Sequence, residues 1–208
     1  MLECNIFTIT EHNNILTATR RYDINNAITG EVLGQAIEKS SPLAKVFRWV
    51  IRQQFLPTTI EVREKPDDSL LFTINCSRSW LRGRIEVRDA NQHLVGYFAS
   101  RCLITRGGFT VYDQTDQPLA QVQGHRLGFP YKFLTADRHV ELGEVSKSLG
   151  DVSGLASERL LSADNYFLTI HPDYTDQPLA KMLLLAAALV INTIDQPEPK
   201  ENLDPVDA

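Results

Sequence analysis

From Thr58 to Lys147 apolar and polar residues alternate in short runs that are separated by acidic, polar turns. Ile60-Glu-Val-Arg-Glu64 leads through Pro66-Asp-Asp-Ser69 to Leu70-Leu-Phe-Thr-Ile74, and Arg84-Ile-Glu-Val-Arg-Asp89 leads through Ala90-Asn-Gln-His93 to Leu94-Val-Gly-Tyr-Phe98. Gly108-Phe-Thr-Val-Tyr-Asp113 and Leu119-Ala-Gln-Val122 flank Gln114–Pro118; Tyr131-Lys-Phe-Leu134 and Val140-Glu-Leu-Gly-Glu-Val145 flank Thr135–Arg138. Strict alternation marks a strand with one buried face, and two such runs around a tight polar turn make a β-hairpin. In the second unit Ile85 and Val87 point one way while Arg84, Glu86 and Arg88 point the other. Before the repeat, Asn5–Thr10 reads as a strand, and Arg21–Asn26 and Gly30–Ile37 read as two more joined by a turn. Tyr166–Ile170 reads as a last strand.

The pattern changes in two places. From Met182 to Ile191 every residue is apolar, and Met, Leu and Ala favour helix. Pro178 suits the first helical turn, Asp176 is placed to cap it, and Pro197 stops it. A helix apolar on every side has to be buried on every side. A bilayer crossing takes about 20 apolar residues, so this shorter run points to a core helix. Hairpins with one apolar face need something to cover it, and closing their sheet removes the sticky edges. A barrel of about twelve strands leaves more room than its own side chains fill, and an all-apolar helix is the right plug. The expected fold is therefore mainly β with one central helix: a closed antiparallel barrel spanning residues 1–195 as a single domain. The second change falls at Ser41–Phe55, where Leu43, Val46, Phe47, Val50 and Ile51 recur at helical spacing. This predicts an amphipathic helix near residues 42–56, with Lys45, Arg48 and Arg52 on another face and Trp49 beside them. Such a helix covers part of a sheet, or lies on an anionic membrane surface.

Charge narrows the choice of partner. The formal net charge is −5, and the tail Gln196–Ala208 holds Glu198, Glu201, Asp204 and Asp207 against Lys200 alone. With three prolines that tail reads as disordered. The remainder is near neutral, which argues against nucleic-acid binding. Cys4, Cys76 and Cys102 form no Cys-x-x-Cys pair, so neither a zinc site nor a disulfide framework is suggested, and a reducing compartment fits better. The first ten residues lack the charge and apolar run of a secretory signal. The expected location is cytoplasmic, peripheral to a membrane at most.

Ala163-Asp-Asn-Tyr-Phe-Leu-Thr-Ile-His-Pro-Asp173, followed by the helix from Lys181 to Asp195, resembles the C-terminus of phospholipid scramblases. The hairpin series is similar to the same family and to its LURP-one-related relatives, all of the Tubby C-terminal-like superfamily. The resemblance spans about Ile6 to Asp195, and it too implies a twelve-stranded barrel around a C-terminal helix. It implies a calcium-activated lipid-moving activity with acidic ligands before the last helix, a region matched by Asp164, Asp173 and Asp176. The chain lacks the proline-rich segment and cysteine cluster of eukaryotic scramblases. A basic surface for phosphoinositide head groups, known in other members of the superfamily, would correspond to Arg82, Arg84, Arg88, Arg101 and Arg106. The plain alternative is a solvated outer sheet face with Glu86 among its charges.

Signatures of catalysis are missing: no Gly-x-Ser-x-Gly, no His-Glu-x-x-His, no phosphate-binding Gly-x-x-x-x-Gly-Lys. The five histidines are far apart, and His93 and His139 fall in or beside turns. Gly107-Gly108 precedes a strand, so it is a turn and not a phosphate cradle. The reading is a non-enzymatic scramblase-like protein that binds anionic phospholipid head groups peripherally, without an obligatory cofactor. The alternative is a regulatory or protein-binding module with no lipid activity and an unidentified protein partner.

Overall fold

The structure is a computed structural model, and it describes residues 1–14, 19–40, 58–76, 84–99, 108–125, 128–147, 165–174 and 176–194. Twelve strands follow one another: β1 (Ile6–Asn14), β2 (Thr19–Asn26), β3 (Val32–Ser40), β4 (Thr58–Glu64), β5 (Ser69–Cys76) and β6 (Arg84–Asp89) make the first half. β7 (Leu94–Ala99), β8 (Phe109–Asp113), β9 (Pro118–His125), β10 (Gly128–Leu134), β11 (Glu141–Ser146) and β12 (Asn165–Ile170) make the second. A 3-10 turn at Pro172–Tyr174 then leads into α1 (Pro178–Ile194). Every strand pairs antiparallel with its sequence neighbours, and β1 pairs with β12 from Ile6↔Thr169 to Thr10↔Asn165, which closes the barrel. The predicted helix near 42–56, the stretch 77–83 and the tail 196–208 lie outside the described residues.

Alternation places one side of each strand inside. Phe7 and Ile9, Tyr22 and Ile24, Ile60 and Val62, Phe72 and Ile74, and Ile85 and Val87 are all buried. The space they line is filled by α1, whose residues from Leu183 to Leu189 have no more than 1% of their surface exposed. The sequence pattern had required this burial, because no face of that run is polar. The helix packs closely on the wall at Gly96 of β7. A Cβ there would lie 2.9 Å from both Leu183 methyl carbons and would run into the Tyr112 carbonyl oxygen. Gln177, one residue beyond the expected Asp176, is the residue that flanks the helix. Its carbonyl accepts the first helical bond, from Lys181 N at 3.0 Å. Pro178 at the first helical position makes its immediate predecessor the flanking residue.

The five short turns share one construction. Each has a residue in the left-handed region: Gly30, Asp68, Gln92, Asp116 and Arg138, with φ between 59° and 74°. Each is followed or preceded by a one-residue register shift in its hairpin. A turn that ends in a left-handed residue and a bulge is a common way to connect strands while keeping their twist. Three of the turns are held by an Asn or Asp at the end of the incoming strand. Asn26 Oδ1 accepts from Ile28 N, Asp89 Oδ1 from Asn91 N and His93 N, and Asp113 Oδ1 from Thr115 N and Gln117 N. Asn and Asp are suited to this because a short polar side chain reaches its own backbone two residues on.

Topology gives the barrel two unlike ends. At the turn rim lie the five short turns, the segment Met1–Asn5, and residues 171–177 leading into α1. At the connection rim, β1 is joined to β2, β3 to β4, β5 to β6, β7 to β8, β9 to β10 and β11 to β12.

Candidate functional site

Strands β6, β7 and β8 carry the described part of the arginine set on the outer wall. Arg84 opens β6 at the connection rim, and its guanidinium carbon stands 3.6 Å above the centre of the Tyr97 ring. Tyr97 stacks on Tyr112 at 4.8 Å between centroids, with planes 9° apart. Tyr97 and Tyr112 face each other across β7 and β8 in register, so the stack follows from strand pairing. Burial, and after it a hydrogen bond with Asp116, push the Tyr97 phenol up, against the pull of Arg84. A cation over an aromatic face is held there by the ring's electrostatic attraction.

The same wall also carries an internal counter-charge. Arg88 sends both Nε and Nη2 to Glu86 Oε2, at 3.2 and 2.7 Å, and its Nη1 donates to the Gln92 carbonyl at 2.9 Å. Arg84 Nε lies 3.4 Å from the other oxygen of Glu86, and its Nη1 lies 4.0 Å from Asp116. Two guanidiniums thus bracket one carboxylate, all at alternate positions of one strand. The wall formed by β3, β4 and β5 is paired likewise. Lys39 meets Glu61 at 2.6 Å, Glu61 meets Arg63 at 2.9 Å, and Asp68 meets Lys65 at 2.8 Å. The hydrogen bond from Lys39 is the main cause that holds the Glu61 carboxyl below its usual range. Arg82, Arg101 and Arg106, like Lys45, Arg48, Trp49 and Arg52, lie outside the described residues.

A calcium ion takes six to eight oxygen ligands. Asp164 lies outside the described residues, while Asp173 and Asp176 are exposed on the turn rim. An oxygen of Asp173 stands 3.3 Å from His171 Nδ1. Among the described residues no group of three or more His, Cys, Asp or Glu side chains is placed to hold a metal ion. His93 and His139 are exposed in their turns, as their positions in the sequence imply.

Two polar features escape a reading of local pattern. Lys181, at the start of the apolar run, is fully buried, and its Nζ donates to the Leu2 carbonyl at 2.6 Å. Burial is the main cause lowering its pKa, opposed by Cys4, Asp176 and Glu3. At the other end, inward positions of β1, β2 and β3 hold Glu11, Arg20 and Glu38. Arg20 Nε lies 4.0 Å from Glu11 and 3.8 Å from Glu38, with all three side chains largely buried. Next to this group the Cys76 thiol is pushed up to about 12, by burial first and then by Glu38. Burial also pushes the Tyr166 phenol well up, with Tyr22 and Glu11 adding to it. The inside of the connection rim is thus polar and ionic, whereas the middle of the barrel is filled by the apolar side chains of α1. The available signal was one of phase: Glu11, Arg20 and Glu38 occupy positions in step with Phe7, Tyr22 and Ala36.

No helix among the described residues is long and apolar enough to cross a membrane, which leaves spanning by strands unaddressed. Comparison with protein-family models, with curated proteins and with solved structures finds no match.

Proposed function

We propose that the protein is a non-enzymatic, scramblase-like binding module that attaches peripherally to anionic phospholipid head groups through its connection rim. The observation that carries this reading is topological. The stretches holding Lys45, Arg48, Trp49, Arg52, Arg82, Arg101 and Arg106 are joined to strand ends that all lie on that rim, next to Arg84. Lys and Arg attract an anionic surface by roughly 1 kcal/mol each when close to it, and Trp favours the interface. The opposite rim carries Asp67, Asp89, Asp113 and Asp137 in its turns, and an anionic surface repels these carboxylates. The resemblance of Ala163–Asp173 and the final helix to scramblase C-termini supports the same reading, as does the barrel wrapped around that helix.

A regulatory or protein-binding module without lipid activity is the second reading. The bracketing of Glu86 by Arg84 and Arg88 favours it, because paired guanidiniums offer less to a phosphate.

Flotation of the purified chain with neutral and with anionic vesicles, at low and moderate salt, separates the two. Binding to anionic vesicles alone, weakening with salt and indifferent to calcium, is the expected result. Absence of binding under every condition removes the lipid reading.

A further inference from the structure

The helix that fills the barrel also fixes where the rest of the chain leaves it. α1 starts beside residues 171–177 on the turn rim, and its side chains stay buried as far as Ile191. Its 17 residues rise about 25 Å. That is no less than the rise of the longest strands: the 9 residues of β1, tilted by about 40°, advance roughly 23 Å along the barrel axis. The last turn of α1 therefore stands at the connection rim, and Asp195–Ala208 continues from there.

The two rims differ in charge when every residue between strands is counted. The connections 15–18, 41–57, 77–83, 100–108, 126–127 and 147–164 hold ten Lys or Arg against three Asp or Glu. The five turns, with residues 1–5 and 171–177, hold two against eight. Charges on the strand ends beneath the connections pair with each other, Arg84 with Glu86, Lys39 with Glu61 and His12 with Asp23, and do not cancel the excess. To this basic rim the helix delivers Asp195, Glu198, Glu201, Asp204 and Asp207, with Lys200 alone against them. Twelve strands about 4.8 Å apart make a barrel roughly 20–25 Å across. Fourteen extended residues reach about 45 Å, enough to meet any of the connections. A short tether also keeps its charges at an effective concentration on the order of millimolar, so weak single ion pairs add up. We infer that the acidic segment 195–208 closes over the connection rim and competes with anionic head groups for its Lys and Arg side chains, which rests on the lipid reading above. Lipid then binds by displacing a segment of the same chain.

The test compares the full chain with two variants of equal net charge. The tail variant carries Asp195→Asn, Glu198→Gln, Glu201→Gln, Asp204→Asn and Asp207→Asn. The control carries Glu3→Gln, Glu31→Gln, Asp67→Asn, Asp173→Asn and Asp176→Asn, all exposed on the turn rim. An unchanged thermal midpoint confirms that each variant folds. In flotation with anionic vesicles the tail variant binds about tenfold more tightly than the wild type, because basic groups near the surface are freed. The control changes binding by less than about twofold, since its carboxylates lie a barrel's height away, well beyond the Debye length of about 8 Å at physiological salt. An oxazine dye joined to Ala208 is quenched on contact with tryptophan and reports closure without lipid, because Trp49 and Trp80 lie in the connections. Its emission is low in the wild type at every protein concentration, and it rises with salt and in the tail variant. Equal vesicle binding by the wild type and the tail variant overturns the inference. Quenching that grows with protein concentration overturns it too, by assigning the segment to a second copy. If none of the three chains binds vesicles, the lipid reading falls and the dye decides closure alone: quenching lost in the tail variant upholds it, and emission equal in the two chains overturns it.

Discussion

Lys181 Nζ donates to the carbonyl oxygen of Leu2, so the start of the chain is fastened to the helix that fills the barrel 179 residues later. The segment it holds lies over the turn rim, where Asn5 and Ile6 also accept from β12 and from the β2–β3 turn. A hydrogen bond from a charged donor in a dry place is worth more than an ordinary one. Lys181→Met keeps the length of the stem and removes the donor. It lowers stability to chemical unfolding by about 1–2 kcal/mol, with the half-buried Leu2 carbonyl deprived of that donor. Amide exchange of residues 1–6 becomes faster while that of β6 to β9 is unchanged.

At Gly96 the wall offers no side chain, and the Leu183 methyls of the helix pack directly on its backbone. Gly96→Ala sets a methyl against the Leu183 side chain and the Tyr112 carbonyl. Overpacking of this kind costs about 1–3 kcal/mol. The fall appears in the urea midpoint, and Gly96→Ala combined with Leu183→Ala costs less than the sum of the two single changes.

Acid sensitivity follows from the turns. The Asp89 and Asp113 carboxyls lie below their usual range although partial burial acts the other way as the largest single influence. The hydrogen bonds from His93 and Asn91, and from Thr115 and Gln117, together outweigh it. A carboxyl lowered in the folded state contributes stability above its unfolded pKa of about 3.9. That contribution is lost as pH falls through the folded value. Stability therefore declines below about pH 4, and Asp89→Asn with Asp113→Asn reduces the decline in urea midpoints measured from pH 6 to pH 2.5.

Glu86 is the counter-ion of the outer arginines, so removing its charge releases them. Glu86→Gln raises affinity for anionic vesicles about fivefold, the equivalent of roughly 1 kcal/mol for one basic group near the surface. The gain disappears at high salt, where screening shortens to a few ångströms. An unchanged affinity would mean that the wall of β6 does not approach the lipid.

The wall of the barrel was legible because its residues obey a local rule. Ile85 and Val87 against Arg84, Glu86 and Arg88 show the inside and the outside of β6 within five residues. The helix was legible because Met182–Ile191 has no polar face to offer water. What local pattern could not supply was anything made by distant partners. Lys181 stands at the edge of an apolar run, and its bond to Leu2, 179 residues away in sequence, is invisible to local pattern. Glu11, Arg20 and Glu38 read as interruptions of three separate strands until closure aligns them inside one rim. The arginine set was visible as charge, but the choice of Glu86 as partner to two of its members depends on rotamers that spacing does not specify.

The orientation of the barrel on a lipid surface can be read from the two tryptophans of the chain. Trp49 and Trp80 both lie in stretches joined to strand ends on the connection rim. Their emission is measured with anionic vesicles that carry brominated, quenching acyl chains. The proposed attachment predicts quenching that moderate salt reverses and that neutral vesicles do not produce. Emission unaffected by anionic vesicles that nonetheless carry the protein in flotation would contradict it, because the bound face would then be another one.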